Sequence, residues 1–90
     1  MTILGCGVQG RAHLEVFTEL FQWKKIYLWN RNKQHAINLQ SKFNNVEILT
    51  DLTDVRIQES DVICTCTGSE EALISLSQVK QDVHINGRIN

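Results

Sequence analysis

Three glycines near the start of the chain have the spacing of a dinucleotide-binding turn. Gly5, Gly7 and Gly10 form the pattern G-x-G-x-x-G between an apolar tetrapeptide and a helical pattern. In a strand–turn–helix unit the first glycine permits the sharp turn, the second lets the backbone approach a pyrophosphate, and the third brings the helix close to the sheet. The alternative is an ordinary tight turn with a coincidental third glycine. The flanking strand and helix favour a phosphate-binding turn in which Val8 and Gln9 take part.

The residues after the second predicted strand indicate which dinucleotide would bind. In NAD-binding domains an Asp or Glu about 20 residues past the glycines accepts hydrogen bonds from the adenine ribose. This chain has Asn30, Arg31 and Asn32 there, and no carboxylate. A guanidinium attracts a ribose 2′-phosphate and binds it through its planar donors, and the two amides add neutral hydrogen bonds. The segment predicts NADP(H) rather than NAD(H), with a surface arginine of no such role as the alternative.

Two threonines follow at the end of the fourth predicted strand. In a sheet of the expected order this strand lies beside the first one, and its tip faces the ribose and nicotinamide part of a bound cofactor. Thr65 and Thr67 are therefore candidates for cofactor contact. Threonine is common in strands, so the alternative of a merely structural threonine has equal weight.

The cysteines and one histidine have simpler interpretations than chemistry. Cys6, Cys64 and Cys66 are an odd and sparse set, which is typical of a reduced cytoplasmic protein rather than a disulfide scaffold. The last two are two residues apart in an apolar run, so we expect core packing rather than zinc binding. His13 falls on the apolar side of the first helix, where packing is a more common role than general-base catalysis.

Alternating apolar runs and helical patterns predict an α/β fold, a Rossmann-type doubly wound parallel sheet with helices on both faces. About five strands are expected, in the order 3-2-1-4-5, which makes the sheet incomplete. The predicted strands are residues 1–4, 25–29, 46–49, 62–67 and 83–86, and the predicted helices are residues 8–21, 33–43 and a short one that is capped by Asp51 or Thr53 and ends near Ser60.

The first helix has a broad apolar arc that we expect to face the sheet. It consists of Val8, Ala12, Val16, Phe17, Leu20 and Phe21. The second helix is expected to stop at Asn44 and Asn45, because asparagine tolerates the left-handed conformation that often ends helices.

Length and composition exclude several functions. The chain has 90 residues, of which 42% are hydrophobic, enough for one small domain. The net charge of −1 argues against nucleic acid or an anionic membrane as the main partner. No apolar run approaches the roughly 18–20 residues that span a bilayer. The amino terminus lacks the charged-then-apolar pattern of a secretory signal, so a cytoplasmic location is expected.

Taken together, four segments resemble the ornithine cyclodeaminase/mu-crystallin family, nearest to its ketimine reductase branch. The segments are Gly5 to Gly10, His13 to Glu19, Trp29 to Arg31 and His84 to Asn86, so the likeness covers nearly the whole chain. It implies an NAD(P)H-dependent reductase of cyclic imines, with the glycine turn and residues 30–32 holding the NADP(H) phosphates and residues 65–67 bordering the nicotinamide. Full-length members form homodimers, and this branch also binds thyroid hormone.

Residues 1–90 would then be a partial, truncated cofactor domain. The family's substrate and dimerisation domain is not represented, and no position matches its catalytic aspartate or its basic substrate-binding residues. By this resemblance the chain is monomeric or associates through an exposed interface. The alternatives to a reductase are a non-catalytic NADP-binding module and an inactive truncated product.

Overall fold

The chain folds into a five-stranded parallel sheet with helices on both faces. The computed structural model describes residues 1–43, 45–66, 74 and 76–86. The strands are β1 (Thr2–Leu4), β2 (Ile26–Trp29), β3 (Val46–Ile48), β4 (Val62–Thr65) and β5 (His84–Asn86), and the helices are α1 (Val8–Leu20), α2 (Lys33–Gln40), α3 (Val55–Gln58) and a 3₁₀ turn (Leu76–Gln78).

The strand order is β3-β2-β1-β4-β5, which confirms the predicted Rossmann-type topology. Every neighbouring pair of strands is parallel, and Leu4 at the end of β1 is level with Trp29 of β2 and Thr65 of β4. The chain winds outward from β1 in one direction as far as β3 and then crosses back to β4. Open α/β sheets bind ligands at such a reversal point, beyond the carboxyl ends of the strands.

The core has two layers, one on each face of the sheet. β1 is buried along its whole length, as expected for the central strand of a parallel sheet. On one face, Ile3, Leu28 and Cys64 pack against Leu14 of α1 and Leu39 of α2. On the other face the buried side chains are Leu4, Leu49, Ile57, Ile63 and Ile74. The helices α1 and α2 thus cover one face, and α3 with the 3₁₀ turn covers the other.

Several predicted element ends are wrong by two or three residues. α2 ends at Gln40 rather than Phe43, although Asn45 does have the predicted left-handed backbone, with φ of 60°. β4 ends at Thr65, and Thr67 lies outside the described residues.

The predicted cap of the third helix is also wrong, because Asp54 caps it. Its carboxylate accepts a hydrogen bond from the Arg56 amide at 2.9 Å and pairs with the Arg56 guanidinium. Asp51 instead accepts a hydrogen bond from the Thr53 amide, within the turn that precedes the helix.

The orientation predicted for α1 is wrong as well. Leu14 is fully buried, whereas Val16, Leu20 and Phe21 of the predicted inward arc are 51%, 67% and 55% exposed. The cause is Gly10, which contacts the strand and fixes the rotation of the helix. Leu14 lies one turn further along the same side and is therefore the residue that enters the core.

Candidate dinucleotide-binding site

The turn between β1 and α1 is bonded to the end of β2. Gly5 has φ of 105°, a conformation that favours glycine, and its N–H donates to the Trp29 carbonyl at 2.7 Å. The next N–H, from Cys6, donates to the Asn30 side-chain oxygen at 3.0 Å. The glycine turn and the predicted adenine-binding segment are therefore held together.

Gly10 is the point where the helix touches the strand. A Cβ atom at this position would lie 1.9 Å from the Gly5 carbonyl oxygen and 3.6 Å from the Ile3 side chain. No side chain fits there without displacing backbone. This is the close helix–strand approach expected of the third glycine.

Gly7 has the opposite environment and leaves the start of α1 open. It is exposed, and a Cβ atom there would meet no atom of the described residues within 4 Å. It is the N-cap residue of α1, yet no side chain described in the structure caps the helix, and the first turn contains no acid. The first amides of a helix have no intrahelical acceptor and form its positive end, so this space suits an anionic group.

The three residues after β2 have different environments. Asn30 accepts from Cys6 and donates from its amide to the Asn32 carbonyl at 2.8 Å. The Asn32 side chain caps α2 by accepting from the Gln34 amide at 3.0 Å. Arg31, between them, is exposed and forms no ion pair with any described residue. The two asparagines thus shape the loop, and the arginine is the member whose charge remains available to a ligand.

Thr65 is half-buried on the other side of β1, level with Leu4. The following N–H, from Cys66, donates to the Leu4 carbonyl at 2.7 Å. The ends of β1, β2 and β4 therefore lie at one edge of the sheet, so that residues 5–10, Asn30 and Thr65 border the same region.

His13 also reaches this edge, which the sequence interpretation missed. Its Nδ1 lies 3.6 Å from the Cys66 sulfur, and its Nε2 lies 3.1 Å from the Asn86 side-chain nitrogen. The histidine is three residues after Gly10 and so lies near the same side of α1. The three-residue spacing between Gly10 and His13 would have predicted this position of the histidine, whereas the apolar arc did not.

The three cysteines are free and buried, which confirms the core packing predicted for Cys64 and Cys66 and adds Cys6 to the core. Burial raises the pKa of Cys6 to about 11 and that of Cys64 to about 11, and it also raises the pKa of Cys66. Thiols are poor nucleophiles and poor metal ligands when protonated. These cysteines therefore pack in the core and offer no reactive thiolate at this edge.

Two further findings concern the described residues as a whole. No group of three or more His, Cys, Asp or Glu side chains among them is placed to hold a metal ion. None of their helices combines the length and the apolar character needed to cross a membrane.

Comparison with known proteins places this edge in context. The model of the ornithine cyclodeaminase/mu-crystallin family matches residues 1–88. The ketimine reductase mu-crystallin of Rattus norvegicus is 34% identical over 86 residues, covering 96% of this chain and 28% of that protein. The delta(1)-pyrroline-2-carboxylate reductase of Bacillus cereus is 27% identical over 90 residues, covering 96% and 27%.

A solved structure agrees in fold. The delta(1)-pyrroline-2-carboxylate reductase of Thermococcus litoralis, in complex with NADH and L-proline, superposes with a TM-score of 0.78 at 21% identity, over 93% of this chain and 27% of that one. The chain thus spans little more than a quarter of the length of the proteins that it matches.

Proposed function

This chain belongs to the ornithine cyclodeaminase/mu-crystallin family, and we propose that residues 1–90 are the partial NADP(H)-binding domain of an imine reductase. The observation that carries the proposal is the contrast between two glycines in one turn. Gly10 is closed by the Gly5 carbonyl, whereas a Cβ at Gly7 would meet no described atom, at a helix start that no described side chain caps. A tight turn without a ligand needs neither the close approach nor the open amides.

The pyrophosphate of the cofactor would lie over Gly7 and the amides of Val8, Gln9 and Gly10. The positive end of α1 favours negative charge there, and no first-turn acid opposes it. Gly5 provides the turn that directs these amides outward. The backbone does the binding, and the side chains of the turn have little part in it.

The adenine ribose would lie beyond the end of β2. Arg31, which pairs with no described carboxylate, supplies a guanidinium for a 2′-phosphate, and Asn30 with Asn32 holds the loop that presents it. A carboxylate for the ribose hydroxyls of NAD is lacking in this segment. These features support NADP(H) for this chain, although its structural neighbour from Thermococcus litoralis was solved with NADH.

The nicotinamide would lie beside the ends of β1 and β4, next to Thr65. When bound, the nicotinamide supplies the hydride, and the protein contributes binding and orientation. Two of the relatives named above are called a ketimine reductase and a pyrroline-2-carboxylate reductase. A carbon–nitrogen double bond in a small ring is the substrate that we propose for the whole protein.

Titration of the 90-residue chain with NADPH and with NADH tests the cofactor assignment. Cofactor fluorescence and thermal stability should both report binding of NADPH in the micromolar range and much weaker binding of NADH. A cooperatively folded chain that binds neither nucleotide would overturn the proposal. Tighter binding of NADH than of NADPH would overturn the NADP(H) assignment alone.

A non-catalytic binding module is the second candidate function for the 90 residues by themselves. The described residues around the ends of β1 and β4 include no carboxylate that could serve as a catalytic acid or base. They are Cys6, His13, Thr65, Cys66 and Asn86. A ketimine-reduction assay on NADPH-loaded chain separates the candidates. We expect binding without turnover, and measurable turnover would make the chain an enzyme in its own right.

A further inference from the structure

One side chain of α1 connects the ends of two strands. The ring of His13 is half-buried, and its Nδ1 lies 3.6 Å from the sulfur of Cys66, which directly follows β4. Its Nε2 lies 3.1 Å from the side-chain nitrogen of Asn86, the last residue of β5. The ring also stacks on Phe17, one helical turn further on, with 6.3 Å between the ring centroids. These three contacts hold the ring in one orientation.

The partner at Nε2 determines the state of the imidazole ring. An amide nitrogen can only donate a hydrogen bond, so the Nε2 atom accepts from Asn86 and carries no proton. In a neutral imidazole the proton is then on Nδ1, which faces the Cys66 sulfur, a weak acceptor. His13 therefore binds both strand ends as a neutral ring, with one nitrogen for each strand.

Asn86 is the point at which the backbone ladder of β5 ends. The ladder pairs β5 with β4 through three residues, and its last pair joins Asn86 to Cys64. Paired residues of neighbouring strands point to the same face of a sheet, and so do residues two apart along one strand. Cys64, Cys66 and Asn86 therefore all face α1, which packs against β4. The bond from Asn86 to His13 holds β5 at the place where its ladder stops.

These contacts lie at the edge of the sheet that borders the proposed site. The Cys66 N–H donates to the Leu4 carbonyl at 2.7 Å, which connects the end of β4 to that of β1. Gly10, the contact glycine of the phosphate-binding turn, is three residues before His13 on α1. His13 thus lies between the glycine turn and the ends of β4 and β5.

The surroundings of this link make its directionality informative. The groove between α1 and β5 is otherwise lined by the apolar side chains of Ala12, Val16 and Phe17. Apolar contacts are non-directional and would suffice to pack a helix on a sheet. A hydrogen bond depends steeply on its angle and distance, so the bond from His13 sets the position of Asn86 rather than merely covering it.

We infer that His13 is a positioning residue for the nicotinamide end of the cofactor site, acting through Asn86 to hold the end of β5 beside the end of β4. The inference rests on the proposed function, because it assumes that the nicotinamide lies next to β4. The adenine half of the cofactor lies on the other side of β1 and does not depend on this link. Loss of the link should therefore weaken binding of NADPH and leave binding of its adenine half unchanged.

Two substitutions of His13 separate the bond to Asn86 from the contact with Cys66. The amide group of glutamine lies about as far from Cβ as Nε2 does in histidine, so His13→Gln keeps a partner for Asn86. The amide group of asparagine corresponds to Nδ1, so His13→Asn keeps only a partner for Cys66. Both variants lose the stacking on Phe17, and that loss cancels in their comparison.

Fluorescence titration of the 90-residue chain with NADPH gives the main readout. His13→Asn should raise the Kd of NADPH about three- to tenfold, the equivalent of one lost hydrogen bond, and His13→Gln should raise it by less than about twofold. The emission of bound NADPH should also weaken in His13→Asn, because the nicotinamide ring is held less firmly. The Kd of adenosine 2′,5′-bisphosphate should be the same in all three chains.

Two further variants control for structural damage. Asn86→Ala removes the exposed partner and should weaken NADPH binding as much as His13→Asn does, with no further loss when the two are combined. His35→Asn makes the same substitution at an exposed histidine of α2 and should have no effect. Circular dichroism verifies that each chain is folded, and Asn86→Ala decides the question if His13→Asn does not fold.

The two proposals fail in different ways. A wild-type chain that binds neither NADPH nor adenosine 2′,5′-bisphosphate would remove the cofactor site itself. If the wild-type chain binds both ligands, the positioning role is overturned by unchanged NADPH affinity in Asn86→Ala, by equal losses in His13→Gln and His13→Asn, or by equal losses for both ligands.

Discussion

Arg31 is the residue on which the cofactor preference depends. We expect Arg31→Asp to lower NADPH affinity about 10- to 100-fold, because a charge-assisted hydrogen bond to the 2′-phosphate is lost and a repulsive charge replaces it. NADH affinity should change little or rise, since aspartate can accept from the ribose hydroxyls. The ratio of the two dissociation constants, measured by cofactor fluorescence, is the readout.

Lys42→Asp provides the control for Arg31→Asp. Lys42 is an exposed lysine beyond the end of α2, so its substitution makes the same change of net charge away from the adenine segment. It should leave the ratio of NADPH to NADH affinity unaltered. An equal shift of the ratio in both variants would show that net charge, and not the position of Arg31, sets the preference.

Substitutions of Gly7 and Gly10 should have different effects, one on cofactor binding and the other on the stability of the fold. Gly7→Ala should lower the free energy of unfolding by no more than about 1 kcal/mol, because its Cβ meets no described atom and its φ of −79° suits any residue, so that only the poorer N-cap propensity of alanine is felt. The added methyl group should nevertheless weaken NADPH binding at least tenfold by occupying the approach to the helix amides. Gly10→Val should instead lower stability by about 2–3 kcal/mol, because its side chain overlaps the Gly5 carbonyl.

Thermal denaturation and NADPH titration of both glycine variants give the comparison. Each variant is the control for the other, since both add a side chain to the same turn. If Gly7→Ala destabilised the fold as much as Gly10→Val, or bound NADPH normally, the separate roles assigned to the two glycines would be wrong.

The two asparagines of this loop show that residue type alone does not determine which group a side chain binds. The segment from Asn30 to Asn32 predicted three ligands of a phosphate. In the structure Asn30 holds the Cys6 amide and Asn32 caps α2, so both side chains have backbone partners. An asparagine amide binds a backbone group or a phosphate equally well, and only the tertiary placement of the turn distinguishes them.

At the scale of elements, α3 depends on its aspartate cap. Hydrogen bonds from the Arg56 side chain and amide lower the pKa of Asp54 to about 2. A carboxyl whose pKa is lowered on folding stabilises the protein above its unfolded pKa, near 4, and this contribution is lost as the pH falls through about 2. Asp54→Ala should therefore cost about 1 kcal/mol at pH 7, and the difference from wild type should shrink between pH 4 and pH 2.

Thermal midpoints of wild type and Asp54→Ala across this pH range measure the effect. Asp82→Ala, which removes an exposed carboxylate outside any helix, controls for the loss of one negative charge. A constant difference between wild type and Asp54→Ala from pH 7 to pH 2 would mean that the ionised carboxylate does not stabilise α3.

Element types and order were predictable from the sequence, but the rotation of α1 was not. Periodicity identified every strand in the described residues, because buried parallel strands are short runs of apolar residues between polar turns. In α1, however, apolar residues occur on two sides, and hydrophobicity alone favoured Val16 and Leu20. The contact of Gly10 with the Gly5 carbonyl instead rotates the helix so that Leu14 faces the core. A helix with two apolar sides needs a steric anchor to orient it.

For the molecule as a whole, the proposed site lies where the two halves of the sheet meet. Hydrogen bonds from Gly5 and Cys6 connect β1 to the end of β2, and a bond from Cys66 connects β4 to β1. Arg31 lies on one side of this junction and Thr65 lies on the other. A complete dinucleotide would therefore contact both halves, whereas its adenine part would contact only one.

NADPH should accordingly stabilise the entire chain. A chain of 90 residues buries only about two-thirds of its unfolded surface, so its intrinsic stability is modest and a ligand shifts it strongly. At a concentration of 100 times Kd, binding to the folded state adds about 2.7 kcal/mol, which raises Tm by roughly 10–20 °C for a domain of this size.

Hydrogen exchange should show protection by NADPH at the ends of β1, β2 and β4, including the Cys66 amide. At concentrations that raise Tm equally, adenosine 2′,5′-bisphosphate should protect the end of β2 as NADPH does but protect the Cys66 amide less, because it lacks the nicotinamide half. Equal protection of Cys66 by both ligands would place the nicotinamide away from β4.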